Sequence, residues 1–243
     1  MSAGTQIIIG IDFGTTVRIN IHIIDPGFTF FLLVHKHFWT KPSLLHFSQY
    51  SGVSWALSTG NKEVRIINDW PNPHGAVANQ DKVPSAISYD ASGKVTKWGY
   101  KVNLSDDSLR WFKILLDPLH KYFRETQHVQ EVAARIERMG KTPEDIVADF
   151  LKCIWDYSLE HLKRKKGDDF REVYTVKVVL TVPAVWSDMA KDRTLRAAVR
   201  AGIPVGSKLV TEPEAAALAL LKQRSEENGV EVRYPVLPRG IVL

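Results

Sequence analysis

Ile7 to Thr16, IIIGIDFGTT, carries the residues best suited to chemistry: the carboxylate of Asp12 and the hydroxyls of Thr15 and Thr16, set around a turn of small residues. A carboxylate can hold a hydrated divalent cation, while hydroxyls and bare backbone N–H groups can hold phosphate oxygens. Gly10 and Gly14 remove side chains where a backbone must turn or approach a ligand closely. The spacing is neither that of the Walker loop nor that of the dinucleotide fingerprint GxGxxG. A strand ending in a Gly-Thr turn is equally the tip of a plain hairpin, and the motif alone does not separate the two. Elsewhere the chemistry is thinner. The single cysteine, Cys153, excludes an internal disulfide and any multi-cysteine metal site, and its apolar helical surroundings suit a buried, inert thiol. His35 and His37 flank a lysine without an acidic or cysteine partner, which argues against a metal site.

These residues need elements to position them. The β-branched run Ile7, Ile8, Ile9, Ile11 predicts a strand inside a sheet. Val53 with Trp55, and Val64 with Ile66 and Ile67, predict two strands around a Ser-Thr-Gly-Asn turn; Val83 to Asp90 and Val95 to Gly99 predict two more. Ser105 to Asp107 reads as a cap for a helix through Leu109, Phe112, Leu115 and Leu116 that Pro118 ends. Val129, Val132, Ile136 and Met139 predict a helix stopped by Gly140. Thr142-Pro143-Glu144-Asp145 is a well-formed start for a helix with Ile146, Val147, Phe150, Leu151, Ile154, Trp155 and Leu162 on its apolar face. That helix finishes in Lys163 to Lys166, cations that suit the negative helix end and lack the aromatic interleaving of a nucleic-acid patch. Tyr174 to Pro183 predicts a strand, Ser187-Asp188 caps a helix through Ala190, Leu195, Ala198 and Val199, Lys208 to Thr211 is a short strand, and Glu212-Pro213 opens EPEAAALALLKQR. Strand, helix, strand, helix in that order implies an α/β layer with crossover connections.

One segment breaks this texture. Val17 to Gln49, 33 residues, holds four of the eight histidines and five of the ten phenylalanines, with no helical or strand period persisting across it. Val17-Arg18 can be encoded as a GTNAGR splice donor and Gln49 as a CAG acceptor end. We read residues 17–49 as a translated retained intron or annotation error; a genuine loop insertion, tolerated at modest entropic cost, is the alternative.

Joining Thr16 to Tyr50 gives IIIGIDFGTTYSGVSWAL, which resembles the phosphate-1 hairpin of the actin-like ATPases and the seventy-kilodalton heat-shock proteins. TVPAVWSD, AAVRAGI and LVTEPEAAALAL resemble the lobe-one signature of that heat-shock family, especially its divergent heat-shock-like group. The resemblance implies a ribonuclease-H-like, actin-like first lobe with a mixed sheet and helices over residues 1–243, a helical and strand subdomain inserted at about 84–140, and a second lobe absent. It implies ATP or ADP as ligand, with Asp12 holding Mg²⁺ through water. Gly10, Gly14, Thr15 and Thr16 would line the nucleotide's phosphates. Glu212 would act catalytically near the metal-bound nucleotide, and Pro183 would couple nucleotide state to a distant surface. By themselves, Glu212 merely caps a helix and Pro183 merely ends a strand.

The chain departs from the family pattern. The position matching the chaperones' catalytic lysine falls on Asn103, with Lys101 out of register. Tyr234 to Leu243 reads as the strand before a second phosphate loop whose acidic Gly-Gly-Gly-Thr does not follow. From these we expect no measurable ATP turnover and poor nucleotide affinity. A non-catalytic protein-interaction module retaining the lobe-one fold is the alternative function; a sugar or acetate kinase is disfavoured by EPEAAAL and VPAVW. Protein clients or co-chaperones are the expected macromolecular partners, and neither nucleic acid nor membrane is. The net charge of +5 and pI near 9.2 permit an acidic partner without arguing for one. Polar Ser2 to Gln6 shows no secretory signal, and Phe28 to Val34 is too short to span a bilayer, so a cytoplasmic location is expected.

Overall fold

A computed structural model describes residues 4–15, 19–24, 29–34, 50–60, 63–73, 79–103, 105–117, 126–204, 206–215 and 217–218. Its strands are β1 (Gln6–Thr15), β2 (Ile19–Ile24), β3 (Thr29–Val34), β4 (Tyr50–Leu57), β5 (Arg65–Ile66), β6 (Val83–Pro84), β7 (Ile87–Tyr89), β8 (Val95–Trp98), β9 (Ser108–Leu109), β10 (Thr175–Val182) and β11 (Lys208–Thr211). The helices are α1 (Gln127–Arg138), α2 (Pro143–Lys166), α3 (Phe170–Val173) and α4 (Asp188–Arg200).

The main sheet is mixed, in the order β11-β10-β1-β4-β5, with β6 also pairing β4. β1 runs parallel to β10 and antiparallel to β4, and β10 runs parallel to β11 across α4, the crossover that the strand–helix–strand order implies. Alternation along β1 divides its side chains. Ile7, Ile9, Ile11 and Phe13 join the large core with Phe150, Leu151 and Ile154 of α2. Ile8 lies in a smaller cluster with Ala56, Val179, Val210 and Ala215, so Asp12, an even-numbered residue, belongs to the face that the Glu212 segment covers.

α2 follows its sequence signals closely. Thr142 Oγ1 accepts from the Asp145 N–H at 3.2 Å, and the Asp145 carboxylate accepts from the Thr142 N–H at 2.7 Å, a complete capping box. All seven apolar residues assigned to its face are buried. Thr142→Ala is expected to lower stability by about 1 kcal/mol, a fall in Tm of roughly 2–4 °C by thermal denaturation.

Four expectations meet a different outcome. The Ser105–Leu116 stretch is not an α-helix: Ser108-Leu109 pair with β7, Trp111 takes a left-handed φ of 66°, and only a 3₁₀ turn, Phe112–Leu116, follows. Sheet pairing claims the residues that a helix would have needed. Val83 to Asp90 is two strands, because the chain leaves β4 after Pro84 and joins a separate sheet, β8-β7-β9, at Ile87. Val199 stands 48% exposed, since the buried face of α4 is Ala190, Thr194, Ala197 and Ala198.

The fourth concerns residues 17–49. β2 and β3 pair antiparallel with Ile19 opposite Val34, Ile21 opposite Leu32 and Ile23 opposite Phe30. Both strands are only six residues long, and Asp25-Pro26-Gly27 in the sequence between them has turn chemistry. Thr15 lies opposite Tyr50, so β1 and β4 form the hairpin expected on joining Thr16 to Tyr50, and the additional segment leaves and returns at its tip. His35 to His37 and Tyr234 to Leu243 lie outside the described residues.

Candidate functional site

Asp12 is fully buried at the C-terminal part of β1. Its place in the sheet supplies the first partner: Thr181 is its neighbour on β10, and Thr181 Oγ1 donates to Asp12 Oδ1 at 2.7 Å. On the other side its partner is Gly52 of β4. A Cβ there would lie 3.2 Å from the Asp81 carbonyl and 3.3 Å from Lys82 Cγ, so glycine keeps a lane open for the Lys82 stem. Lys82 Nζ crosses to Asp12 Oδ2 at 2.7 Å.

After Asp12 the register of the β1–β4 pair shifts, and Gly14 turns with φ at +65°. Its N–H donates to Ser51 Oγ at 3.1 Å, and the Ser51 and Ser85 hydroxyls are 2.9 Å apart. A Cβ on Gly14 would meet Lys113 Cδ at 3.1 Å. Lys113 is itself buried: its ammonium donates to the Phe13 carbonyl and lies 5.1 Å from the Phe13 ring and 5.0 Å from the Trp186 ring. Glu212 Oε1, at the start of the helix after β11, is 3.9 Å from Lys113 Nζ.

Two anchors hold the lysine's segment. The buried Asp117 carboxylate accepts from Ser187 Oγ at 3.0 Å, and Arg193 Nη1 donates to the Leu116 carbonyl at 3.3 Å. Pro183 ends β10 and its carbonyl accepts from the Trp186 N–H at 3.2 Å, so the turn that Pro183 starts brings Trp186 over Lys113.

Burial sets the electrostatics. Desolvation lowers the Lys113 pKa from its ordinary 10.5 to about 8, against the pull of Glu212 and Asp12. Burial raises the Glu212 carboxyl above its ordinary range, with Lys113 opposing. The site therefore places a desolvated ammonium beside a glycine turn and between two carboxylates.

A directly coordinated divalent cation does not fit these residues. Among the described residues no three His, Cys, Asp or Glu side chains converge, and the ammonium of Lys82 sits where a metal on Asp12 Oδ2 would have to be.

Of the residues singled out from sequence, Asp12, Gly14 and Glu212 come together. Gly10 is buried between Val179 and Ser54 in the sheet beneath them. Thr15 is placed by its pairing with Tyr50, and Thr16 lies outside the described residues. Asn103 is exposed, its N–H bonded to Asp106 at 2.7 Å, and Lys101 is exposed too; the lysine in the cleft is Lys113. Lys82, Thr181, Ser51, Ser85 and Trp186 also escaped the sequence reading. Lys113 did carry a signal, as one charge within the apolar run Phe112 to Leu116.

Elsewhere, Cys153 is half-buried rather than buried as expected, and desolvation pushes its thiol up to about 12. The basic helix end is partly engaged: Arg164 pairs with Asp69 at 3.0 Å, Lys163 with Asp168 at 3.5 Å, and Lys166 lies 5.2 Å from the Trp55 ring. No helix among the described residues is long and apolar enough to cross a membrane.

No protein-family model matches the chain. It is 25% identical over 190 residues to heat shock 70 kDa protein 12A of Mus musculus, covering 72% of this chain and 27% of that one. It is 26% identical over 187 residues to heat shock 70 kDa protein 12B of Homo sapiens, with the same coverage. The chain thus has weak similarity, over most of its length, to proteins named as 70 kDa heat-shock proteins. The chain spans about a quarter of the length of the curated proteins it matches (27%). The resemblance read from IIIGIDFGTT, TVPAVW and EPEAAAL is therefore matched by similarity over most of the chain.

Proposed function

We propose that this chain is a heat-shock-like nucleotide-binding lobe of the actin-like ATPase fold whose cleft holds the phosphates of ADP or ATP. The observation that carries the reading is the buried Lys113 ammonium, fixed at the Gly14 turn by the Phe13 carbonyl and set between Asp12 and Glu212. A desolvated ammonium is a strong partner for a phosphate oxygen, because low local polarity strengthens each charge interaction. The buried Ser51 and Ser85 hydroxyls, bonded to each other, with Ser51 also accepting from the Gly14 N–H, fix the small turn beside it.

The reading concerns binding. We expect no measurable ATP turnover from the 243-residue chain: the Asp12 carboxylate is already engaged by Thr181 and Lys82, which takes it away from positioning a water or a metal. Calorimetric titration with ADP and, separately, adenosine tests the proposal. Binding of ADP with little or none of adenosine is the expected result; equal or absent binding of both refutes it.

The lysine also sets a pH dependence. Lys113 is charged below about 8 and neutral above it, so ADP affinity should be level at lower pH and decline as pH rises through about 8. Lys113→Arg, whose guanidinium stays protonated, should remove that decline. The same calorimetry across roughly pH 6.5 to 9.5, a window centred on the lowered lysine value, reads both outcomes.

A further inference from the structure

The Asp12–Lys82 pair is a direct contact inside the cleft, and the chain is built to make it. Gly52 clears the lane for the Lys82 stem, as the Cβ distances of 3.2 and 3.3 Å require. The Lys82 carbonyl is anchored by the Tyr100 hydroxyl at 2.9 Å, and the next residue, fully buried Val83, is fixed by pairing to Ser51 on β4. Thr181 holds the other carboxylate oxygen, which fixes the orientation of Asp12 toward the ammonium. A lysine so placed is a resident cation.

We propose that Lys82 is the counter-cation of Asp12 in place of a divalent ion, so that this cleft binds phosphate ligands without a divalent metal. The argument is electrostatic and steric together. A divalent ion on Asp12 Oδ2 would have to occupy the space of an ammonium 2.7 Å away, or stand beside it and be repelled by its charge. The same charge supplies to a phosphate part of the neutralisation that a metal would supply. The consequence for nucleotide rests on the proposed phosphate-binding reading; the exclusion of metal from Asp12 does not.

The test separates the two. The full chain is labelled with ¹⁵N-glycine, and Mn²⁺ alone is titrated while the Gly14 and Gly52 amide resonances are followed for paramagnetic broadening. The wild type should show little selective broadening. Lys82→Met should show it at Mn²⁺ concentrations about tenfold lower or less, and Lys82→Arg, which restores the charge, should behave as wild type. Lys82→Gln is the second variant if Lys82→Met does not fold, and the wild-type titration depends on neither. Selective broadening in the wild type at the concentration that broadens the variant overturns the proposal, as does a folded Lys82→Met or Lys82→Gln protein that shows none. ADP titrations in Mg²⁺ and in excess EDTA complete the set. Wild-type affinity should agree within about twofold between the two, while Lys82→Met should bind only with Mg²⁺. Strict Mg²⁺ dependence in the wild type overturns the proposal. If ADP binds under neither condition, the nucleotide reading falls, and the Mn²⁺ result still decides the role of Lys82.

Discussion

Lys113→Met is expected to weaken ADP binding by about 10- to 100-fold, the equivalent of one charge-assisted hydrogen bond. Stability should change by no more than about 1 kcal/mol in either direction, because two effects oppose each other. The substitution removes the bond from the ammonium to the Phe13 carbonyl and the ammonium's contacts with the Phe13 and Trp186 rings. It also removes a desolvated charge whose cost is visible in the pKa lowered to about 8. Glu212 then loses its counter-charge, but it keeps 19% side-chain exposure and a raised pKa, so protonation relieves it. A purely structural lysine would give the reverse outcome, a large loss in urea-melt stability with unchanged binding by the remaining folded protein. Calorimetry and a urea melt on the same preparation distinguish these.

Gly99→Ala should be the most destabilising single-methyl change considered in this molecule, at about 3 kcal/mol. Gly99 has φ at +59°, which costs an L-residue roughly 1–2 kcal/mol. The added Cβ would also lie 2.5 Å from Val83 Cγ2, inside any allowed contact, and Val83 is fully buried with no room to yield. Overpacking of this kind costs about 1–3 kcal/mol. Gly140→Ala is the internal control: φ is +64° there too, but nothing lies within 4 Å of the new Cβ, so only the backbone part should appear. The difference in urea-melt free energy between the two variants measures the Val83 overlap. The effect should reach the cleft, since displacement of Val83 moves the adjacent Lys82 away from Asp12.

What the sequence disclosed follows from how locally each feature is determined. The helix α2 was legible from cap to tail because the capping box, the first-turn proline and the apolar period all lie within 24 residues. β1, β10, α4 and β11 were legible for the same reason. Segment 105–116 was not, because its helical spacing was real but strand β7, outside the segment at Ile87–Tyr89, pairs with Ser108 and Leu109. The cleft shows the same limit. Asp12, Gly14 and Glu212 sit in recognisable motifs. Lys82 and Lys113 reach Asp12 and Phe13 from 70 and 100 residues away, through a β4–β6 pairing and a 3₁₀ turn that no local pattern specifies. The family pattern pointed to position 103, which is an exposed asparagine, whereas the buried lysine near Asp12 is Lys113, in a run that reads as ordinary core. A charge isolated among apolar residues was the one available sign.

The central claim is that phosphates bind at the Gly14 turn beside Lys113. Its most direct test is the ¹⁵N-glycine spectrum of the full chain, which has 15 glycines, recorded as ADP is added. The account predicts that Gly14, at the turn, and Gly52, beside Lys82, shift in a saturable manner, whereas exposed, distant glycines such as Gly93 and Gly167 do not. A spectrum in which Gly14 and Gly52 stay unmoved up to millimolar ADP would contradict it.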